Sequence, residues 1–279
     1  MSQYPTISEG ALDAIIGAYH GDPFSILGPH KYGDDALIVR AFLPQAAAVA
    51  VQSTEDESQS LEMERVHPEG FFECIIPEAD LSYGYQLELT FGDGSTQLIY
   101  DPYSFGPSFT PGQERLYANM GAHLIKYGDV SGVRFAVWAP AAERVSVVGS
   151  FNDWDGRRHP MRKHHDFGTW EIFIPELEEG ELYKYEVKTP YEGYMVAKSD
   201  PVGFFAEMRP NTASIVWNID KYEWNDDEWL EKRVEKHGFD KPVSIYEVHL
   251  ASWKLKNGWE WMTYREMAVD LADYVAEQG

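Results

Sequence analysis

The stretch Gly149-Ser150-Phe151-Asn152-Asp153-Trp154 places two aromatic rings, an amide and a carboxylate within six positions. Asn152 and Asp153 favour a turn, because their side chains bond nearby backbone groups. The turn bears the aromatic side chains Phe151 and Trp154. The other chemistry-bearing residues are less organised. His159, His164 and His165 raise a metal question, but no cysteine or carboxylate spacing accompanies them, and they read as surface loop residues. Gly92-Asp93-Gly94-Ser95 lacks a phosphate-loop pattern and reads as a hairpin turn. Asp153 and Asp200 read as turn residues. Cys74, the single cysteine, has no partner for an internal disulfide and reads as a small core hydrophobe. No catalytic, cofactor-binding or metal-binding residue is assigned.

The elements that must position this turn occur twice. Val39-Arg40-Ala41-Phe42-Leu43-Pro44, then Val49 and Val51, is matched by Phe135-Ala136-Val137-Trp138-Ala139-Pro140, then Val145 and Val147, at an offset of 96. Further on the offset is 98: Gly70-Phe71-Phe72-Glu73 matches Gly168-Thr169-Trp170-Glu171, and Tyr85 and Glu88 match Tyr183 and Glu186. Asp101-Pro102 matches Asp200-Pro201 at 99. Drifting offsets are expected of two copies of one fold whose loops differ slightly, and a repeat sets the domain count. Aligning Met63 with Met161 puts two extra residues of the second copy between Val147 and Met161. The first copy has the acidic, non-aromatic Gln52–Ser58 there.

Both copies alternate apolar and polar residues over short runs separated by Pro, Gly and Asp turns, the pattern of an immunoglobulin-like sandwich. Ahead of them, Thr6–Tyr19 predicts a short helix with Thr6 and Glu9 as a capping box and Gly21 as a stop. Behind them, Val243–Leu250 reads as a β-rich run. Thr263-Tyr264-Arg265-Glu266 is a second capping box, opening a helix with Tyr264, Met267, Leu271, Tyr274 and Val275 on one side. One β/α unit cannot bury both faces of its strand, so this pattern is expected to open a further domain. The predicted organisation is residues 1–34, helix and turn segment; 35–110, first sandwich; 111–131, connector; 132–208, second sandwich; 209–241, linker; and 242–279, strand and helix.

Composition excludes several partners. The net charge is −23, which repels phosphate backbones, so nucleic acid and anionic membrane are not expected. A neutral ligand is indifferent to this field. No run of eighteen apolar residues is present, and no secretory signal is visible. With one cysteine, this fits a cytoplasmic protein.

Gly149–Trp154, with Arg134–Pro140 before it and Tyr183-Lys184-Tyr185-Glu186-Val187 after it, resembles the carbohydrate-binding sandwich of glycogen branching and debranching enzymes. Ile245-Tyr246-Glu247-Val248-His249-Leu250-Ala251-Ser252-Trp253-Lys254 resembles the first barrel strand of the same α-amylase superfamily. The duplicated sandwich and His20–His30 resemble the bacterial glycogen branching enzyme family in particular. The resemblance implies a mainly β fold of two tandem immunoglobulin-like sandwiches of carbohydrate-binding-module type, followed by the first β/α unit of an incomplete (β/α)8 barrel. It implies an α-glucan partner, glycogen or linear 1,4-glucan, no cofactor, and a monomer. The implied activity is branch formation, with the catalytic carboxylates on later barrel strands, so this chain is expected to be inactive alone. The alternatives are a non-catalytic glucan-binding module and a debranching enzyme.

A pyranose presents C–H bonds to an aromatic face. By the resemblance, Trp154 and Lys184 are candidates for glucan contact, and Tyr191 and Tyr194 for a second aromatic platform. The competing reading is that Trp154 packs on its own sandwich and Lys184 is a solvated strand lysine. In a barrel, the C-terminal end of the strand would carry His249 toward the active site. His249 reads instead as a hydrogen-bonded structural histidine.

Overall fold

The computed structural model describes residues 4–55, 60–77, 84–108, 116–191, 193–236 and 238–278. The chain divides into two units, Met1–Lys221 and Tyr222–Gly279.

In the first unit, helix α1 (Glu9–Ile16) leads into strands β1 (Gly28–Tyr32), β2 (Ala36–Phe42), β3 (Ala48–Ser53), β4 (Ser60–Glu62), β5 (Glu64–His67), β6 (Phe71–Pro77), β7 (Tyr85–Thr90) and β8 (Thr96–Tyr100). They form two antiparallel sheets, ordered β1-β2-β6-β5 and β4-β3-β7-β8. The second sandwich uses β9 (Gly121–Tyr127), β10 (Val130–Trp138), β11 (Arg144–Gly149), β12 (Arg162–His164), β13 (Thr169–Pro175), β14 (Leu182–Lys188), β15 (Met195–Lys198), β16 (Phe205–Ala206) and β17 (Ser214–Ile215). Its sheets are β12-β13-β10-β9 and β11-β14-β17-β16, with β15 also on β14.

The repeat is exact at the level of the core. Val39, Ala41, Val49, Met63, Phe72, Cys74 and Tyr85 are buried in the first sandwich, and Phe135, Val137, Val145, Met161, Trp170, Ile172 and Tyr183 in the second. Cys74 is therefore a core hydrophobe, and burial raises its thiol pKa. Full burial of such side chains is worth roughly 1.5–3 kcal/mol each, so these matched interiors hold the two copies. Even single bonds repeat: Met63 N donates to Val49 O at 2.8 Å, and Met161 N donates to Val145 O at 2.8 Å.

Each copy also uses its buried strand glutamate to hold the chain ahead of it. Glu73 accepts from Thr6 N (2.9 Å) and Thr6 Oγ1 (2.8 Å) and pairs with Arg40 at 3.1 Å. Glu171 accepts from Ser108 N (3.2 Å) and faces His164 Nε2 (2.9 Å). This corrects the start of α1. Thr6 does not cap it, because a buried carboxylate demands donors. Ser8 is the cap, its Oγ accepting from Ala11 N at 3.3 Å, and the helix closes at Gly17, before Tyr19.

The His20–His30 segment wedges between the sandwiches. Pro23–Ser25 forms one 3₁₀ turn, and Phe24 packs edge-on against Tyr103 at 4.8 Å, beneath the Arg162 guanidinium at 3.8 Å. Tyr103 donates its hydroxyl to Arg158 O (3.4 Å) and Pro160 O (3.3 Å) of the second sandwich. Gly28 approaches Tyr103 so closely that a Cβ would lie 2.5 Å from its carbonyl oxygen. Several strands fall outside the stretches expected to hold them. β1 lies in the expected turn segment, β9 in the expected connector and β17 in the expected linker. β1 and β9 are edge strands, and β17 is only two residues long, too short for alternation to reveal.

The second unit contains α2 (Asp227–Lys236), α3 (Leu250–Trp253), a hairpin of β18 (Leu255–Lys256) and β19 (Glu260–Trp261), and α4 (Tyr264–Gln278). The Thr263 box is present: Thr263 N donates to Glu266 Oε2 at 2.8 Å and Glu266 N to Thr263 Oγ1 at 3.3 Å. The strand expected over Val243–Leu250 is not formed. Residues 242–249 carry no ladder, since among the described residues none pairs with them, and an unpaired strand leaves its backbone groups to solvent. His249 Nδ1 faces Ser252 Oγ at 2.8 Å. No described helix is long and apolar enough to cross a membrane.

Candidate functional site

The first copy shows what the turn of the second replaces. There β4 pairs with β3 through Ala50–Glu62, Val51–Leu61 and Gln52–Ser60. In the second copy only the first of these survives, as a bridge between Ser146 and Pro160. The other two are displaced by residues 149–159. The two added residues thus convert an edge strand into a loop.

The loop is built from inside. Ser150–Asn152 is one 3₁₀ turn. The Asn152 side chain is completely buried: Oδ1 accepts from Gly149 N at 2.9 Å, and Nδ2 donates to Val147 O at 2.8 Å and faces His159 Nδ1 at 2.8 Å. Phe151 packs inward, stacked on Phe135 at 6.3 Å and edge-on to His159 at 5.8 Å. Asp153 and Trp154 then take left-handed backbone angles, φ 55 and 60, which non-glycine residues adopt only when the surroundings over-determine them. Here Trp154 N is held by Gly149 O at 3.0 Å, and Gly149 is obligatory because a Cβ would lie 2.3 Å from Leu182 O. The chain therefore reverses so that Phe151 enters the core and Trp154 emerges, 43% exposed.

Arg144 fastens the far side of the loop. Nearly inaccessible, it donates to Ser146 Oγ, Gly156 O and Glu186 Oε1, each at 2.5 Å. His159 is not a free surface residue but is partly enclosed by the loop. Burial, then the neighbouring Arg158 charge, lowers its pKa to about 3, so the imidazole is neutral and Nδ1 accepts from Asn152. His164 is likewise not on a loop. It lies on β12 against the buried Glu171, because the sheet edge falls there. His165 is exposed, as expected. Among the described residues no group of three potential ligands could hold a metal ion.

Lys184 stands opposite Val148 in the β11–β14 ladder, and its Nζ donates to Thr212 Oγ1 at 2.8 Å. It is thus anchored, not freely solvated. Tyr191 and Tyr194 are 78% and 63% exposed at the tip of the β14–β15 hairpin, where Tyr194 N donates to Tyr191 O at 3.0 Å. Trp154 and Lys184 thus share the Gly149–Tyr183 end of the sheet, and the tyrosines occupy the Lys188–Met195 end. Four strand residues, about 13 Å, separate Lys184 from Lys188. The candidate aromatic residues lie toward opposite ends of one sheet, not in one cluster. Sequence reasoning missed the supports: Asn152 read only as a turn former, and Arg144 carried no signal that would distinguish it from a surface arginine.

Residues 8–103 match the family model described as "alpha-1,4-glucan branching enzyme GlgB, N-terminal domain", and residues 119–203 match "Carbohydrate-binding module 48 (Isoamylase N-terminal domain)". The chain carries the N-terminal region of the 1,4-alpha-glucan branching enzyme family. It is 43% identical over 288 residues to the 1,4-alpha-glucan branching enzyme GlgB of Rhodospirillum rubrum, covering 99% of this chain and 39% of that protein. It is 45% identical over 280 residues to GlgB of Rubrobacter xylanophilus, covering 97% and 38%. The chain thus spans under two-fifths of the length of these branching enzymes. The branching-enzyme model falls on the first sandwich and α1, and the carbohydrate-binding model falls on the sandwich that carries Trp154.

Proposed function

We propose that this chain is the glucan-engaging N-terminal region of a 1,4-alpha-glucan branching enzyme, and that its second sandwich touches the glucan through Trp154 and Lys184, with Tyr191 and Tyr194 as a second station. The observation that carries the reading is the loop of residues 149–159. A buried amide, a buried aromatic and two left-handed residues hold one tryptophan outward at the place where the first copy keeps an ordinary edge strand. An exposed indole fixed in this way suits the C–H face of a glucose ring, and Lys184, toward the same end of the sheet, supplies a directional donor.

The whole enzyme would cleave an α-1,4 bond, hold a glycosyl-enzyme intermediate and pass the segment to a 6-hydroxyl. Such retaining transfer uses a carboxylate and a carboxylic acid about 5 Å apart, and no residue of this chain is assigned to either role. The carbohydrate-binding model alone would suit a debranching enzyme equally; the match over residues 8–103 favours branching. We place the protein in the cytoplasm as a monomer; the single cysteine suits a reducing compartment. Native electrophoresis with glycogen in the gel tests the reading: the chain is retarded relative to a non-binding acidic protein, and equal mobility with and without glycogen would remove the binding claim.

A further inference from the structure

The loop that points Trp154 outward has an inner side, and that side closes a cavity between the two sandwiches. The cavity measures about 340 Å³, within the ~300–1,000 Å³ of typical small-molecule sites. Its apolar floor is Phe42, Leu89 and Ile99 of the first sandwich with Leu177 of the second. Polar groups stand on its rim from both sides, notably Gln97 and Glu176 with Arg158 and His159.

His159 is the most informative of these. Asn152 donates to its Nδ1 at 2.8 Å, which fixes the tautomer: Nε2 carries the proton. Among the described residues nothing accepts from that Nε2. A ring nitrogen whose donor role is set by a buried amide, on a residue that lines a cavity, is a donor available to something that enters it. Arg158 spends one guanidinium nitrogen on Asp153 at 2.8 Å and offers further donors. Glu176 and Gln97 offer acceptors. Asp101 also lines the cavity, but its carboxylate is already engaged by the Tyr85 hydroxyl and Tyr103 N. That leaves Arg158 and Glu176, one cation and one carboxylate, to face a ligand, so neither an anion nor a cation is favoured.

We propose that this cavity is a second carbohydrate site, taking one or two glucose units of a short α-glucan, and distinct from the Trp154 surface. An apolar floor with donors and acceptors around it is the complement of a neutral pyranose, which has C–H faces and an equatorial belt of hydroxyls. The choice of sugar over another neutral polar ligand rests on the function proposed above. The site itself rests on the cavity and the fixed donor.

The test uses maltose and the 279-residue chain. Isothermal titration is expected to give a saturable maltose isotherm, weakened at least tenfold by Ile99→Trp, which fills the floor. In ¹⁵N NMR, the His159 Nε2 resonance is expected to shift on adding maltose to the unsubstituted chain, a readout that needs no variant to fold. The proposal is overturned if wild type binds no maltose, if the His159 resonance does not move, or if binding survives Ile99→Trp and disappears in Trp154→Ala. Loss of glycogen retardation with the maltose isotherm intact would instead sink the Trp154 surface and leave the cavity standing.

Discussion

The Tyr85 hydroxyl donates to Asp101 Oδ2 across 2.6 Å, and the second copy repeats the latch as Tyr183 to Asp200 Oδ2 at 2.7 Å. The aspartate of each closing Asp-Pro thus reaches into the sandwich and ties down its Tyr/Glu strand. Asp200 is not a simple turn residue. It also accepts from Tyr185 at 3.1 Å.

This latch makes stability depend on pH in an unusual direction. Burial raises Asp101 to about 6, against the opposing hydrogen bonds of Tyr85 and Tyr103. An unfolded aspartate titrates near 3.9, so between those values the folded chain binds the extra proton. The contribution of this group is full below about pH 4 and is lost as pH rises through 6, at most about 3 kcal/mol by linkage. Urea midpoints at pH 4.5 and 7 check it: Asp101→Asn is expected to gain on wild type as pH rises. Parallel pH dependences of the two proteins would contradict the assignment.

His159 acts in the opposite sense. Its folded pKa of about 3 lies below the usual 6.5, so its contribution is present above pH 6.5 and is lost as pH falls toward 3. An NMR titration of the imidazole should show a neutral ring down to the pH at which the fold is lost. A midpoint near 6 in the folded protein would show that the ring is not enclosed as described.

Arg144 should be the most sensitive support of the loop. Removing it leaves Glu186 and the Gly156 carbonyl without their donor. Breaking a buried pair costs about 3–5 kcal/mol; because Glu186 is partly accessible, the lower end is expected. Chemical denaturation of Arg144→Ala measures this, and a loss below about 1 kcal/mol would mean the clamp is incidental.

The sequence makes the duplicated core legible because offsets of 96 and 98 preserve apolar alternation at Val39 and Phe135, Met63 and Met161, Phe72 and Trp170. It also locates the aromatic turn, because the insertion is bounded by matched residues. The burial of Asn152 and Arg144 is not legible. Both are polar types whose usual place is the surface, and only the loop folding back over β11 encloses them. The misplaced cap at Thr6 has the same origin: a long-range demand from Glu73, 67 residues away, overrides a local motif. The unformed strand at Val243–Leu250 shows the converse, for strand composition without a pairing partner makes no ladder.

Retardation of Trp154→Ala against wild type in glycogen-containing native gels tests the central claim most directly. Removing the indole should weaken apparent affinity roughly tenfold, about 1.4 kcal/mol, with an unchanged thermal midpoint because the ring projects outward. Unaltered retardation in a folded Trp154→Ala chain would show that the loop presents its tryptophan for something other than glucan.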